Sequence, residues 1–519
     1  MQKRALSPLL VPLLLSIAAF FAVFTVADLC YLPRLIDGDI YADMLLAREI
    51  WRQKALFPAN WVYGNQYYTV ATPVLAALFY GLTGSMNTAM ALATAMMSAL
   101  IVLSFCWMLR PFVRRSSTVP AALLTFLAAP MAYDMLQQPQ GQLFFTLASY
   151  YACYLIVLCL VFGDYARSAL LPEQGARPAA LALALALSFL TGMQSLRQTL
   201  IMVFPILGVE ALRLLRRRSR RATLLRALGY AVANAAGYLC MELLQVPTHS
   251  IYGEVRLSGS GLGGRLLAVW HAVRAVTGLD AALFQPPMAF FLPFFLLSVA
   301  LAVWGGIRLF RRRRETPGLW LLALLCALSL AGVLAAGVAV EIHMREIYLF
   351  VWYLLLALLL AGLWEGLREK WLPAAVAALC LLSLGDLYCS YGSSLRMARE
   401  RDPAPAVAFC EDAEAAGIRL VYGDWETIPK LLVWSDGKIT GGFWDEPLFQ
   451  IRGSINLLDI YAPEDNDHAL YVIGPWGREE TERYIREQGA SFEVFGEYGP
   501  WIAYRIDRQL MHPEGEPLP

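Results

Sequence analysis

Three aspartates stand where a long apolar run ends. Asp37, Asp39 and Asp43 lie in LIDGDIYADMLLAREIW, residues 35–51. Carboxylates in such a place can take a proton from a nucleophile or hold a hard divalent cation. A second set of chemistry-bearing residues sits at the ends of other apolar runs: Arg197 in TGMQSLRQTL, and His343 with Arg345 in AVEIHMREIYLF. Ionisable groups at that depth are costly unless they are paired or line a wet cavity. Arginine grips phosphate with a planar fork, so a lipid-linked phosphate suits Arg197 and Arg345. Between these sets, LFPANWVYGNQYYTVATP offers Asn60, Trp61 and Tyr63, and AYDMLQQPQGQ offers Gln137 and Gln138. Such residues can wall a pocket for a sugar or a lipid headgroup, or form an interfacial aromatic belt. Each set also has a plainer reading. Asp39 can be a helix N-cap with Asp43 in the first turn, and a lone arginine near a span end can snorkel to the interface.

The aspartates need an element to hold them. From Asp39 onward, Ile40, Met44, Ala47 and Trp51 recur at helical spacing. The opposite face carries Asp39, Asp43 and, near its edge, Glu49. The pattern predicts an amphipathic helix lying along the membrane, with two carboxylates one turn apart that repel each other mildly. The next apolar stretch, residues 70–84, is short and has Pro73 near its start, so it reads as a second interfacial helix rather than a span.

Around these stretches the chain is a membrane protein. Hydrophobic residues make up 58% of it and charged residues only 16%, against about a quarter charged in soluble domains. The net charge of +1 is segregated along the chain and gives no reason to expect a nucleic-acid partner. The nine cysteines form no CxxC or other metal-ligand pattern.

Eleven apolar runs are candidate spans: 9–28, 86–109, 119–136, 143–162, 179–195, 197–215, 223–244, 286–309, 317–339, 347–364 and 371–389. With the N-terminus in the cytoplasm, the arginine-rich stretches RLLRRRSRR and RLFRRRR fall on the inner side, as the positive-inside rule requires. An odd number of spans then puts the C-terminus outside. The expected organisation is a membrane domain over 1–389, with large outer loops at 29–85 and 245–285, and an extracytoplasmic domain over 390–519. LSGSGLGGR, in the second loop, is no nucleotide fingerprint because no strand precedes it; it is expected to be a mobile loop over the site.

The C-terminal segment alternates helical and strand patterns: AVAFCEDAEAAGI, RLVYG, WETIPKLLVWSDG, HALYVIG, REETERYIREQG, SFEVFGEY and WIAYRI. This predicts a small α/β domain. It has no phosphate loop and no nucleophile elbow. Trp425, Trp434 and Trp444 could stack on sugars.

This layout resembles the GT-C superfamily of integral-membrane glycosyltransferases, the polyprenyl-phosphate-sugar-dependent enzymes that include protein mannosyltransferases and the aminoarabinose transferases of lipid A. DIYADMLLAREI (39–50) looks like the superfamily's acidic motif on its first juxtamembrane helix, and ATPVLAALFYGLTG (71–84) like its Pro-containing second one. Arg345 is similar to a basic position in a late outer loop. The likeness covers the membrane part in layout and about 50 residues in pattern. The commonest motif has Asp and Glu side by side, whereas here Gly38 separates Asp37 from Asp39. Alignment on Arg48-Glu49-Ile50 selects Asp39 as the base; alignment on Tyr41 selects Asp37; Asp39 fits without a gap.

The resemblance implies an α-helical polytopic fold of about 11 transmembrane helices with an extracytoplasmic α/β domain. It implies a multi-pass enzyme of a cell membrane, a bacterial one on grounds of layout. Such an enzyme would move a sugar from a polyprenyl-phosphate donor, with inversion, to a polymer, lipid or protein acceptor. Asp39 (or Asp37, with Asp43 beside it) would be the base, and Arg197 and Arg345 with His343 would receive the phosphate. Some members use a divalent metal on the acidic motif, which Asp37, Asp39 and Asp43 could ligate. Two other classes fit the spans: a flippase for a lipid-linked saccharide and a non-catalytic envelope scaffold. A flippase predicts inverted repeats and broken helices near the midplane, and the sequence has neither.

Overall fold

The computed structural model describes the chain apart from residues 1–7, 32–37, 65, 130–150, 172–177, 249–260, 278, 280–295, 298, 341–343, 401–402, 425–426, 446–449, 452–467, 475–476, 509, 511 and 514–519. Asp37, Gln137, Gln138, His343 and Trp425 therefore lie outside the described residues, as do residues 257–260 of LSGSGLGGR.

The membrane part is a bundle of apolar helices: α1 (Leu10–Val26), α2 (Gly38–Gln53), α3 (Thr72–Thr83), α4 (Met86–Leu109), α5 (Thr118–Ala128), α6 (Ala152–Leu170), α7 (Pro178–Gln194), α8 (Phe204–Leu215), α9 (Arg221–Leu244), α10 (Leu262–Val276), α11 (Gly306–Arg311), α12 (Pro317–Ala339), α13 (Val351–Glu365) and α14 (Leu372–Glu400). Among the described residues, seven helical stretches are long and apolar enough to cross a bilayer. The other four expected spans fall outside these seven. Run 119–136 is described as helix only over α5, and run 179–195 forms α7, also below span length. Run 197–215 is a π-helical turn, Thr199–Val203, followed by α8, with Pro205 at the junction. Run 286–309 holds another π turn, Leu301–Gly305, and then α11. Helix α3, at 12 residues, spans only about 18 Å, too short for a hydrocarbon core of about 30 Å. Its Gly84 C-cap adopts a left-handed φ of +68°, as Gly does readily.

Helices α7 and α9 approach backbone to backbone. A methyl group on Gly192 would stand 2.0 Å from the Asn234 carbonyl oxygen, and one on Gly237 2.0 Å from that of Phe189. Buried Asn234 straps the pair, its Nδ2 donating to Ser188 O (3.1 Å) while its Oδ1 accepts from Thr199 Oγ1 (2.6 Å). Small residues allow such contact where lipid supplies no hydrophobic drive. Gly192→Ala or Gly237→Ala must push the helices apart, at a cost of about 1–3 kcal/mol. Each variant should unfold at a lower temperature in detergent, whereas Gly208→Ala, at a position with open space, should not.

At one end of the bundle, arginines close helix C-termini. Arg115 donates to Trp364 O (2.8 Å) and Leu367 O (2.7 Å), and Arg308 donates to Gly366 O (2.7 Å). Cations there satisfy open carbonyls and the helix dipole, so these residues do more than set topology.

At the other end sits the C-terminal domain. It comprises α15 (Ala404–Ala415), β1 (Leu420–Gly423), α16 (Ile428–Trp434), β2 (Thr440–Asp445), β3 (Gln450–Ile451), β4 (Ala469–Ile473), α17 (Arg478–Glu487), β5 (Phe492–Tyr498), β6 (Trp501–Ile506) and β7 (His512–Pro513). The sheet order is β5-β6-β4-β1-β2-β3-β7. Strand β1 runs parallel to both β2 and β4, and β6 is antiparallel between β4 and β5. Alternation along the strands sends Val421 and Val472 into one core with α15 and α16, and Tyr422, Tyr471 and Ile485 of α17 into a second core. The first core is continuous with the bundle, so the sheet rests on the membrane part through α15 and α16. Strands β2, β3 and β7 escape the sequence reading; TGGFWD opens with two glycines, which weaken strand propensity.

Two expectations change. The end of the stretch expected to be a mobile loop forms the first turn of helix α10, capped by Gly261 (φ +68°) and tied down by Arg265 Nε donating to Val338 O at 2.8 Å. The region expected as the second outer loop thus contributes an ordered element. The juxtamembrane helix α2, expected to be amphipathic, has no free polar face. Apart from Asp39, every residue from Gly38 to Ile50 is buried, because α3 and α4 pack against it from the bundle and α16 from the C-terminal domain.

Candidate active site

Helix α2 begins at Gly38, which places Asp39 in its first turn, where unpaired N–H groups and the dipole favour a carboxylate. Asp39 is exposed, while Asp43, one turn on, is 3% exposed. Both bear on one phenol. Burial first, then the charges of Asp43 and Asp39, push the Tyr68 hydroxyl well above its ordinary pKa, against a hydrogen bond with Gln66 that lowers it. Tyr68 therefore keeps its proton at any physiological pH and stays a donor beside the two carboxylates.

Farther along α2, Glu49 is buried and heavily bonded. It accepts from Arg48 Nε (3.2 Å), Arg52 (3.0 Å), Gln53 (3.4 Å) and Asn60 (3.4 Å). Arg48, itself buried, lies against Gly437 of the C-terminal domain, where a methyl group would strike its guanidinium. Glu49→Gln leaves Arg48 buried without its countercharge, which costs about 3–5 kcal/mol. The expected result is a lower melting temperature together with faster proteolytic release of the C-terminal domain.

The cationic side is organised by rings. The Arg197 guanidinium lies 5.1 Å from the Tyr151 ring, 5.5 Å from Tyr154 and 4.9 Å from Tyr348, a cation–π enclosure. Tyr348 lies in the turn that follows Arg345, its N–H donating to Arg345 O at 3.1 Å. Arg345 is exposed, and the positive fields of Arg197 and Arg345 both reach Tyr151.

A chain of polar contacts joins the two sides. The Tyr154 hydroxyl donates to Gln66 Oε1 (2.9 Å) and shares a hydrogen bond with Ser195 Oγ (3.0 Å), which accepts from Arg197 N–H (3.3 Å). Gln66 bonds Tyr68, and Tyr68 senses Asp39 and Asp43. The loop carrying Gln66 and Tyr68 is pinned to the bundle. Tyr67 N–H donates to Gln194 O (3.0 Å), Thr69 Oγ1 to Leu190 O (2.6 Å), and Tyr63 N–H to Pro247 O (2.9 Å).

Of the residues singled out from sequence, Asp39, Asp43, Arg197 and Arg345 gather around this network. Asn60, Trp61 and Tyr63 do not. Asn60 serves Glu49, Trp61 is buried, and buried Tyr63 packs with Phe57 and Tyr67 and donates to Leu56 O. Expected as pocket wall, the three support the loop instead, because a loop pressed between α2 and the bundle needs an apolar core of its own. Tyr68, Tyr151, Tyr154 and Tyr348 escaped the sequence reading. Tyr151 and Tyr154 fall inside an apolar run, where nothing separates a site tyrosine from a packed one. Of the three carboxylates expected to hold a divalent ion, Asp37 lies outside the described residues. Asp39 and Asp43 supply two carboxylates, and no three His, Cys, Asp or Glu side chains gather there or elsewhere among the described residues.

The sequence matches no family profile and no curated protein. Solved structures do resemble it. ArnT from Cupriavidus metallidurans bound to undecaprenyl phosphate superposes with a TM-score of 0.56 at 14% identity, over 95% of this chain and 97% of that one. The chain has the fold of ArnT. The apo form of ArnT gives a TM-score of 0.58 at 15% identity over the same shares. ArnT is a GT-C glycosyltransferase, so the fold expected from the loop layout is the one found. The ArnT-like architecture runs nearly end to end, helical bundle and C-terminal sheet domain together.

Proposed function

We propose that this protein is a membrane glycosyltransferase that moves a sugar from a polyprenyl-phosphate donor to an acceptor outside the cytoplasm. One observation carries the reading: on an ArnT fold, an exposed first-turn carboxylate and an aromatic-caged arginine meet through Tyr68, Gln66 and Tyr154. The neighbour bound to undecaprenyl phosphate supports a donor of that kind. Arginines that close helix ends at the opposite side of the bundle support an outer-face site, by the positive-inside rule.

In this reading Asp39 accepts the proton of an acceptor hydroxyl or amine, whose lone pair attacks the anomeric carbon. The new bond to that carbon forms as its bond to the phosphate oxygen breaks, and the phosphate leaves with the electron pair. Charge then grows on the phosphate, where Arg197 and Arg345 offer preorganised donors. Asp43 and Tyr68 hold the field and the hydrogen bonding around Asp39. Attack opposite the leaving group inverts the anomeric configuration. No step is routed through a metal. The test is transfer of labelled sugar from a synthetic polyprenyl-phosphate donor by purified protein, with NMR of the product anomer. Loss of donor only on adding envelope acceptors, with an inverted product, supports the reading; no transfer to any envelope fraction overturns it.

A further inference from the structure

Arg216, Arg217, Arg218, Arg220 and Arg221 join α8 to α9, and all five are exposed. They lie at the end of the bundle opposite the site. Arg213, in the last turn of α8, donates to Ala169 O at the C-terminus of α6 (3.4 Å). Arg167 in turn donates from α6 to Trp107 O, near the C-terminus of α4. This is the end that Arg115 closes.

The arginines on either side spend their charge inside the protein. Arg213 pairs with buried Glu210 (3.5 Å) and Arg226 with buried Asp164 (2.5 Å). The five between them pair with no carboxylate among the described residues, and no Asp or Glu occurs between Glu210 and Glu242.

Local folding does not explain these five charges. Helix α8 ends in a Schellman turn, with Arg218 N–H donating to Arg213 O (2.8 Å) and Arg217 N–H to Leu214 O (2.9 Å). Arg217 takes the left-handed position of that turn, φ +52°, which glycine fills at lower cost. The dipole of α8 favours cations at its end, but the dipole of α9 opposes them at its start. Arg220 is the N-cap of α9 and Arg221 its first residue, with no acidic side chain in the first turn. The segment is nevertheless fixed, because the Ser219 hydroxyl donates to Glu210.

Charge and place select the partner. Guanidinium groups without a countercharge suit phosphate. Leu214, Leu215 and Leu225, beside the arginines, are exposed, and α9 is long and apolar enough to cross a bilayer. The arginines therefore stand where hydrocarbon gives way to headgroups. A nucleic acid would have to displace the leaflet's own phosphates to reach them.

We infer that the Arg216–Arg221 segment is a docking surface for anionic phospholipid headgroups, independent of the transferase reading above. The experiment uses full-length protein in detergent, titrated with phosphatidylglycerol and with phosphatidylcholine and read by native mass spectrometry. Wild type should retain phosphatidylglycerol in preference, and less of it as salt is raised. Each arginine near a headgroup surface is worth about fivefold in affinity. Replacing Arg216, Arg218 and Arg221 together by alanine should therefore cost roughly a hundredfold. Arg217→Gly should cost about fivefold while melting no lower than wild type, since glycine suits that turn; this separates lipid binding from folding. Equal retention of the two lipids by wild type, or undiminished retention of phosphatidylglycerol by the folded variants, overturns the inference. So does binding of a labelled oligonucleotide that phosphatidylglycerol fails to displace, which would mark a nucleic-acid surface instead.

Discussion

Asp39→Asn should abolish sugar transfer while leaving the donor bound. A general base is worth about 10²–10⁴-fold, and an amide of the same shape cannot take the proton. The substitution should leave the fold intact, because Asp39 is exposed in the first turn of α2, where asparagine is well tolerated. The decisive measurement is single-turnover transfer from a radiolabelled polyprenyl-phosphate sugar, with donor retention by native mass spectrometry on the same sample. Asp43→Asn is the informative contrast. Asp43 is buried beside Tyr68, so its loss should perturb stability as well as rate. Transfer by Asp39→Asn at the wild-type rate would remove this carboxylate from the mechanism.

Arg197→Met should cost about 10²–10³-fold in transfer, the range for removing one preorganised donor from a developing charge, and should weaken retention of polyprenyl phosphate. Methionine fills the space among Tyr151, Tyr154 and Tyr348 with an apolar chain, so the ring cage survives while the donors go. Arg197→Lys should recover only part of the loss. The three rings face a planar guanidinium at 4.9–5.5 Å, and an ammonium is a compact point charge without the fork. Substituting Arg345, which is exposed, should cost less. Unchanged transfer and unchanged phosphate retention in Arg197→Met would show that the cage is structural.

The membrane character and the first two juxtamembrane helices were legible because they rest on local rules. Apolar runs of span length, a Pro at a helix start, a Gly at its end and Lys/Arg-rich loops are each read from a window of the chain. The same windows misjudge what long-range packing decides. DIYADMLLAREIW has an apolar and a polar face by its own periodicity, yet α16, arriving from a segment almost 400 residues later, packs against this helix as well as α3 and α4. Arg48 is buried against Gly437, Glu49 among Arg52, Gln53 and Asn60, and Asp43 beside Tyr68, while Asp39 in the first turn stays exposed. Asn60, Trp61 and Tyr63 have the composition of a pocket wall, but whether an aromatic faces a ligand or a neighbouring ring depends on partners such as Phe57, Tyr67 and Pro247.

By itself, the sequence determined a polytopic membrane chain with a terminal α/β domain, and it put Asp39, Asp43, Arg197 and Arg345 at the ends of apolar runs. Periodicity and charge placement need no knowledge of distant residues. Tertiary structure alone decided that these groups share one network. The link runs from Gln66 and Tyr68 in one loop to Tyr154 almost ninety residues on, and a pairing over that separation has no local signature. It becomes a bridge only when the bundle brings Tyr154 to Gln66.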